Sequence, residues 1–197
     1  MARKPRVISN THIILASGSP RRSFLLSECH IPFSVKPSNI EEIVPAHIAL
    51  RDSPEYLAVE KAKACSHNCA PNELILSADT SVFLGDEILN KPANYQEAVD
   101  MISKLSETQH EVITGFCIKQ KSKQLSQSVL SLVEFDKISS DEIDFYIEQF
   151  KPFDKAGGYG IQDWIGWCKI KRIEGSYSNI LGLPMREVYQ QLRSFNS

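Results

Sequence analysis

Residues 12–22 read HIILASGSPRR. The apolar run from His12 to Ala16 predicts a strand, and Ser19 followed by Pro20 is a typical start for a helix, which we expect to reach about Cys29. A strand that passes directly into a helix is typical of an α/β fold. Short β-like runs keep alternating with amphipathic helical patterns, so we predict the α/β class for the whole chain.

The remaining elements are predicted from apolar spacing and capping residues. Helices are predicted at Ser53 to about His67 with Ser53 as cap, Asn94 to Leu105 with Asn94 as cap, Ser140 to Phe150, and Pro184 to Leu192. Strands are predicted at Leu74 to Ala78, Ser81 to Leu84, Glu111 to Lys119, Leu125 to Asp136, and Ile165 to Ile173. We interpret residues 11–197 as one domain that follows an N-terminal extension, residues 1–10.

Composition narrows the class of protein. The chain has 197 residues with a formal net charge of −2, which gives no case for broad binding of a nucleic-acid polymer. No apolar segment is long enough to span a bilayer, and five cysteines suit a reducing compartment, so we expect a cytoplasmic protein without a membrane partner. The CSHNC stretch, residues 65–69, lacks a second ligand pair at zinc-like spacing and is interpreted as thiols near a helix end.

Two arginines stand in the first turn of the first predicted helix. Arg21 and Arg22 oppose the positive end of the helix dipole there, whereas an anion bound at that end would reverse the penalty. The segment is therefore either a triphosphate clamp with forked arginine donors or a pair of solvated surface arginines. Ser17 and Ser19 share the segment and are candidate substrate-binding residues with the arginines.

A carboxylate interrupts the apolar run after Leu74. Asp79 is predicted at a strand end, where its charge is costly unless it meets a cation or a metal, or where it accepts loop N–H groups. Glu41 and Glu42 are either solvated loop charges or acids that converge with it on Mg²⁺ or Mn²⁺. Lys61 and Lys91 suit phosphate oxygens, although each alone is more often a surface lysine.

The glycine-rich segment DKAGGYGIQ, residues 154–162, requires a sharp turn or a close ligand approach. It lacks the Gly-Lys-Ser/Thr of a P-loop and the GxGxxG of a dinucleotide fold. Gln162 offers both a donor and an acceptor, which suits the O4 and N3–H edge of uracil or thymine. No Ser-His-Asp or HExxH pattern is present, and His110 is interpreted as structural, which leaves catalysis by carboxylate, metal and cations.

Seven motifs in this order resemble the Maf family of nucleotide pyrophosphatases: LASGSPRR, EKA, ADT, LNKP, HEVITG, DKAGGYGIQ and GSYSNILGLP. The resemblance covers Ile14 to about Glu187. It implies an elongated α/β domain with a mixed, twisted sheet flanked by helices, a deep nucleotide-binding cleft, and a homodimer. It implies hydrolysis of a nucleoside triphosphate to the monophosphate and pyrophosphate with a divalent metal.

Carried over by position, the resemblance makes Asp79 the catalytic base and Glu42 its acidic partner at the metal. It makes Arg21, Arg22, Lys61 and Lys91 the phosphate-binding set, and it gives Thr80 and Gln162, with one arginine, the specificity positions. DKAGGYGIQ is similar to the branch that acts on dTTP and UTP. The alternatives are the same chemistry on 7-methyl-GTP and a nucleotide-binding regulator of cell division.

Asp163-Trp164 departs from the family pattern after Gln162, where Gly and a small or apolar residue are usual, so the pocket rim is expected to be reshaped. We expect at least one of Trp164 and Trp167 to pack in the core.

Overall fold

The computed structural model describes residues 12–70 and 72–195, so the predicted extension lies outside the described residues. Its strands are β1 Ile13–Leu15, β2 Phe33–Val35, β3 Leu74–Leu84, β4 Glu87–Leu89, β5 Gln109–Gln120, β6 Lys123–Phe135 and β7 Ile170–Glu174. Its helices are α1 Pro20–Glu28, α2 Ser53–Ser66, α3 Tyr95–Leu105, α4 Ser140–Phe150, α5 Trp164–Lys169, α6 Tyr177–Leu181 and α7 Met185–Phe195. None of these helices is long and apolar enough to cross a bilayer.

The seven strands form one mixed sheet in the order β2-β1-β3-β5-β6-β7, with β4 paired to β3. β1 runs parallel to β2 and to β3, whereas β4 and β7 join their neighbours antiparallel. The predicted α/β class and mixed sheet are confirmed. The described residues form two compact units: 12–70, 72–79, 114–129 and 182–195 in the first, and 80–113 and 130–181 in the second. The single domain predicted from the sequence stays a prediction.

In the first unit, α2 packs on the sheet through small side chains. Ala58, Ala62 and Cys65 recur at helical spacing on its buried face and form one apolar cluster with Ile75 and Cys117. Small residues let a helix approach a sheet closely. Because of this close approach, the other side chains on the same face of α2 contact β3 directly.

Two further contacts fix where α2 lies. A Cβ added to Gly115 of β5 would sit 2.2 Å from the Glu55 backbone nitrogen, so only glycine allows the first turn of α2 to lie there. The buried Ser77 hydroxyl of β3 donates to the Ala58 carbonyl oxygen at 2.5 Å. Helix α2 is thus held against β5 at its start and against β3 at its middle.

In the second unit, local capping defines two of the helices. The Asn94 side chain accepts from the Glu97 backbone N–H and starts α3. Ser139 and Glu142 form a reciprocal capping box at the start of α4. The predictions for both helices are confirmed: Asn94 is the cap that the sequence predicted for α3, whereas α4 was predicted from its apolar spacing and its Ser139 cap was not.

A buried aromatic cluster anchors the start of β5. His110 is 2% exposed, its Nε2 lies 2.8 Å from the Tyr159 hydroxyl, and both rings pack against Phe135. Burial lowers the pKa of His110 to about 4 from its ordinary 6.5. The structural role predicted for this histidine agrees with its burial in a packed cluster.

We expect this histidine to make the fold sensitive to acid. The unfolded chain takes up a proton near pH 6.5, whereas the folded chain resists it down to about pH 4, so stability is lost as pH falls through that window. The expected loss from His110 is about 2 to 3 kcal/mol between pH 7.5 and 4.5. Urea unfolding at both pH values measures it.

In His110→Phe the difference in unfolding free energy between the two pH values should shrink by that amount. The matched control is His67→Phe, whose ring is already exposed to water. An equal pH response in His110→Phe and the wild type would contradict the assignment of this acid sensitivity to His110.

Three local predictions are wrong. A 3-10 turn, Leu50–Asp52, precedes α2, and Ser53 lies inside the helix with its hydroxyl donating to the Leu50 carbonyl instead of capping. The strand predicted from Ile165 to Ile173 is instead helix α5 followed by β7. Neither tryptophan is fully buried, since Trp164 is half-buried against Phe145 and Trp167 is 72% exposed.

Candidate functional site

Asp79 lies inside a strand and not at a strand end, which corrects the prediction made from the sequence. β3 runs without a break through Asp79 and Thr80, because β1 pairs with its first half and β4 with its second. Ile75, Ser77 and Asp79 alternate onto one face of β3, the face that α2 covers. The Asp79 side chain is consequently buried, with the residue 9% exposed.

Lys61 of α2 supplies the cation that a buried carboxylate requires. Its position, between Ala58 and Ala62 on the buried face of the helix, leaves it only 8% exposed. The Lys61 Nζ lies 2.6 Å from Asp79 Oδ1 and 2.7 Å from Glu42 Oε1. The three residues therefore meet at one ammonium group, on which the two carboxylates converge.

Arg22 is buried at the β1–α1 turn. Its Nε donates to the Gly182 carbonyl oxygen at 2.8 Å, and its Nη1 donates to the Ser17 hydroxyl at 2.8 Å. The Ser17 hydroxyl also accepts from the Ser19 backbone N–H at 3.3 Å. Arg22 and Ser17 thus fix the turn before α1, a positioning role that the spacing in the sequence did not predict.

The other predicted members of this unit lie close by in the chain. Ser19 takes the N-cap position of α1, as predicted, but its side chain makes no capping hydrogen bond. Arg21 is half-buried, and Glu41 is exposed. Glu41 is therefore a solvated loop charge, which was one of the two interpretations of this residue.

The charges of the cluster are nearly balanced. Burial lowers the pKa of Arg22, and the negative charges of Asp79 and Glu42 act in the opposite direction. Arg21, Arg22 and Lys61 set three cations against these two carboxylates. One net positive charge falls short of the charge on a triphosphate, so a bound triphosphate requires further cations.

The second unit carries the remaining predicted residues. Lys91 is exposed after β4, and Thr80 is half-buried on β3. The glycine-rich segment forms a 3-10 turn, Ala156–Gly158, and Gly157 needs its positive φ of 71° there. Gln162 is half-buried, and its Oε1 is a buried acceptor with no hydrogen-bond partner among the described residues.

Potential metal ligands are scattered through the described ranges and do not cluster. No three His, Cys, Asp or Glu side chains there are grouped to hold a metal ion. The Cys65 and Cys69 sulfurs lie 3.6 Å apart at the end of α2, which confirms the interpretation of these thiols as helix-end residues. The Asp79 and Glu42 carboxylates are brought together by their shared contact with the Lys61 Nζ.

Two residues at these sites were missed as functional candidates. Ser77 joins β3 to α2 two residues before Asp79. Tyr146 lies on α4, and its hydroxyl forms hydrogen bonds to the segment that contains Gln162. The available signal was a polar group in an apolar face: a serine in the LILSA run, and a tyrosine between Ile143 and Ile147.

Comparisons with known proteins agree over nearly the whole chain. The sequence profile of a family described as Maf-like protein matches residues 12–195. A Parabacteroides distasonis protein named dTTP/UTP pyrophosphatase is 46% identical over 184 residues, covering 93% of this chain and 95% of its own. A Phocaeicola vulgatus protein of the same name is 46% identical over 182 residues, covering 92% and 94%.

Among solved structures, the Staphylococcus aureus Ham1 protein is similar over 64% of this chain and 72% of its own. The TM-score is 0.45 at 12% identity.

Proposed function

Because this chain belongs to the Maf-like family, we propose that it hydrolyses the pyrimidine nucleoside triphosphates dTTP and UTP to the monophosphate and pyrophosphate. The observation that carries the proposal is the convergence of the Asp79 and Glu42 carboxylates on the Lys61 ammonium, beside the buried Arg22. Relatives at 46% identity carry the name dTTP/UTP pyrophosphatase, which supports pyrimidines over 7-methyl-GTP.

Asp79 is proposed as the base. Lys61 holds Oδ1 of its carboxylate in place, and Oδ2 accepts a proton from the attacking water. The water oxygen bonds to the α-phosphorus as the bond to the bridging α–β oxygen breaks, and pyrophosphate leaves with that oxygen. Arg21, Arg22, Lys61 and Lys91 are proposed to bind the phosphate oxygens, since positioning and charge stabilisation supply most of the rate in such reactions.

The carboxylates fit a divalent cation bound together with substrate. Mg²⁺ is usually held by one or two carboxylates, with substrate phosphates and water as its other ligands. Asp79 and Glu42 provide that number, and the small positive charge of the cluster leaves room for a dication with a triphosphate. Mg²⁺ or Mn²⁺ held there would neutralise phosphate charge and polarise the phosphoryl oxygens.

Gln162 and Thr80 are proposed as specificity residues. The Gln162 Oε1 is a buried acceptor without a partner among the described residues, which is costly unless a ligand supplies a donor. The N3–H of thymine or uracil is such a donor, and the amide nitrogen can then donate to O4. We further propose a cytoplasmic homodimer, in line with five free cysteines and the family resemblance.

A panel of triphosphates with Mg²⁺ or Mn²⁺ tests the proposal, with both pyrophosphate and orthophosphate measured. We expect kcat/KM for dTTP and UTP to exceed that for CTP and 7-methyl-GTP at least tenfold, with pyrophosphate as the first product. Orthophosphate as the first product would refute α–β cleavage. Equal, negligible rates across the panel would favour the nucleotide-binding regulator.

A further inference from the structure

The segment that carries Gln162 is tied to a buried tyrosine of α4. The Tyr146 hydroxyl donates to Asp163 Oδ2 at 2.8 Å and accepts from the Gly160 backbone N–H at 3.0 Å. Tyr146 is fully buried and stacks on Phe150. One hydroxyl therefore holds the residues at both ends of the turn from Gly160 to Asp163, with Gln162 inside it.

The backbone of this turn is held at further points. The Asp163 N–H donates to the Gly160 carbonyl oxygen at 3.0 Å, and the Trp167 Nε1 donates to the Gln162 carbonyl oxygen at 2.9 Å. Gly166 packs against Ile161 so closely that an added Cβ would lie 1.9 Å from its carbonyl oxygen. The backbone under the Gln162 side chain thus has little freedom to shift.

The Gln162 amide itself packs on Gly160 beside the Asp163 carboxylate. A Cβ added to Gly160 would lie 2.8 Å from Gln162 Nε2 and 2.6 Å from Asp163 Oδ2, so the amide nitrogen and the carboxylate are neighbours. A negative charge there favours the amide with its NH₂ group toward Asp163 and its oxygen turned away. The buried Oε1 is the atom left without a partner in the described chain.

The hydroxyl of Tyr146 is a dependable donor. Its pKa is raised by burial and then by the charge of Asp163, so the O–H stays protonated at any physiological pH. Lys155 Nζ lies 3.9 Å from Asp163 Oδ2 and 2.8 Å from Asp154 Oδ1, which offsets the carboxylate charge without taking the place of the tyrosine.

The orientation of a glutamine amide decides which pyrimidine it pairs with. Thymine and uracil present the acceptor O4 beside the donor N3–H, whereas cytosine presents a donor amino group beside the acceptor N3. An amide with fixed donor and acceptor positions pairs with one pattern, and the same amide flipped by 180° pairs with the other. A fixed amide therefore discriminates, and a rotating one does not.

We propose that Tyr146 and Asp163 are positioning residues that fix the orientation of the Gln162 amide and so set the preference for thymine and uracil over cytosine. This inference rests on the proposed function, in which Gln162 contacts the base. It gives a role to Asp163, the residue that directly follows Gln162.

The test is the ratio of kcat/KM for dTTP to kcat/KM for dCTP in Tyr146→Phe and Asp163→Asn. Tyr146→Phe keeps the ring and its stacking but loses both hydroxyl bonds, and Asp163→Asn loses the charge that orients the amide. We expect each variant to lower the ratio about tenfold through a higher KM for dTTP and a lower KM for dCTP. General damage to the fold would instead lower kcat/KM for both substrates together and leave the ratio unchanged.

The matched control is Tyr95→Phe, which removes another tyrosine–aspartate bond of the same unit, from the Tyr95 hydroxyl to Asp144 at 2.7 Å. It should keep the wild-type ratio. If Tyr146→Phe does not fold, as judged by its melting temperature, Asp163→Asn decides the question alone. A ratio within twofold of the wild type in the folded variants would overturn the inference.

Gln162→Ala separates this inference from the function beneath it. A wild-type ratio in Gln162→Ala would show that Gln162 does not recognise the base. It would contradict both its proposed specificity role and the inference that depends on it. A ratio that collapses in Gln162→Ala but holds in the two positioning variants would defeat only the inference about Tyr146 and Asp163.

Discussion

Asp79→Asn is expected to lower kcat for dTTP about a thousandfold, with the fold intact. The amide keeps the size of the carboxylate and can still accept from the Lys61 Nζ, which lies 2.6 Å from Asp79 Oδ1. It does not accept a proton from water, and general-base catalysis is worth about 10² to 10⁴ in rate. Steady-state kinetics with pyrophosphate detection measures the loss, and the melting temperature reports on folding.

The control for this variant is Asp100→Asn, an exposed aspartate of α3 that accepts from Gln96. It makes the same chemical change outside the cluster and should leave kcat at the wild-type level. A folded Asp79→Asn enzyme with kcat within threefold of the wild type would show that Asp79 is not the base.

Lys61→Met is expected to lower kcat/KM for dTTP about a hundredfold and to destabilise the fold. Removing one positioned charged donor commonly costs about 10² to 10³ in rate. Removing the cation also leaves the buried Asp79 carboxylate without the ammonium 2.6 Å away, and breaking a buried ion pair costs about 3 kcal/mol or more. Kinetics and urea unfolding at pH 7.5 measure the two effects.

Lys63→Met is the matched control, because Lys63 lies two residues along the same helix and forms an exposed ion pair with Glu60 at 2.7 Å. Exposed pairs contribute about 0 to 1 kcal/mol, so this variant should resemble the wild type in both measurements. Equal losses in the two lysine variants would mean that the position of Lys61 between the carboxylates has no special importance.

Local signals explain why much of the fold was predictable. Asn94 with Glu97, and Ser139 with Glu142, mark helix starts within a few residues, and the structure uses both. The alternation of strands and helices likewise indicated the α/β class. These features depend on neighbours in the chain, which a sequence displays directly.

The errors arose where specific tertiary contacts, and not the spacing of apolar residues, decide the structure. Trp164 to Lys169 has the β-like composition of a strand, yet it forms a helix because Gly166 packs on the Ile161 carbonyl and Trp167 bonds to Gln162. Asp79 reads as a strand end, because the sequence does not show that Lys61 lies above it. A buried apolar strand can contain an acidic residue in its interior only when a partner compensates the buried charge.

The site was predictable as a set of residues but not as an arrangement. Asp79, Glu42 and Lys61 were each named, while the meeting of two carboxylates at one ammonium required the approach of α2 that Gly115 and Ser77 permit. The same holds for Arg22, whose bond to the Gly182 carbonyl oxygen spans 160 positions of sequence. A buried lysine in the alanine face of α2 is the signal that a sequence reader could have weighed more heavily.

Hydrolysis of dTTP in ¹⁸O-labelled water tests most directly the central claim that water attacks the α-phosphorus at the Asp79 cluster. With wild-type enzyme and Mg²⁺, mass spectrometry of the products should find one ¹⁸O in dTMP and none in pyrophosphate. The label should enter at a rate about a thousandfold lower in Asp79→Asn. Label in pyrophosphate, or labelled orthophosphate as the first product, would contradict the claim.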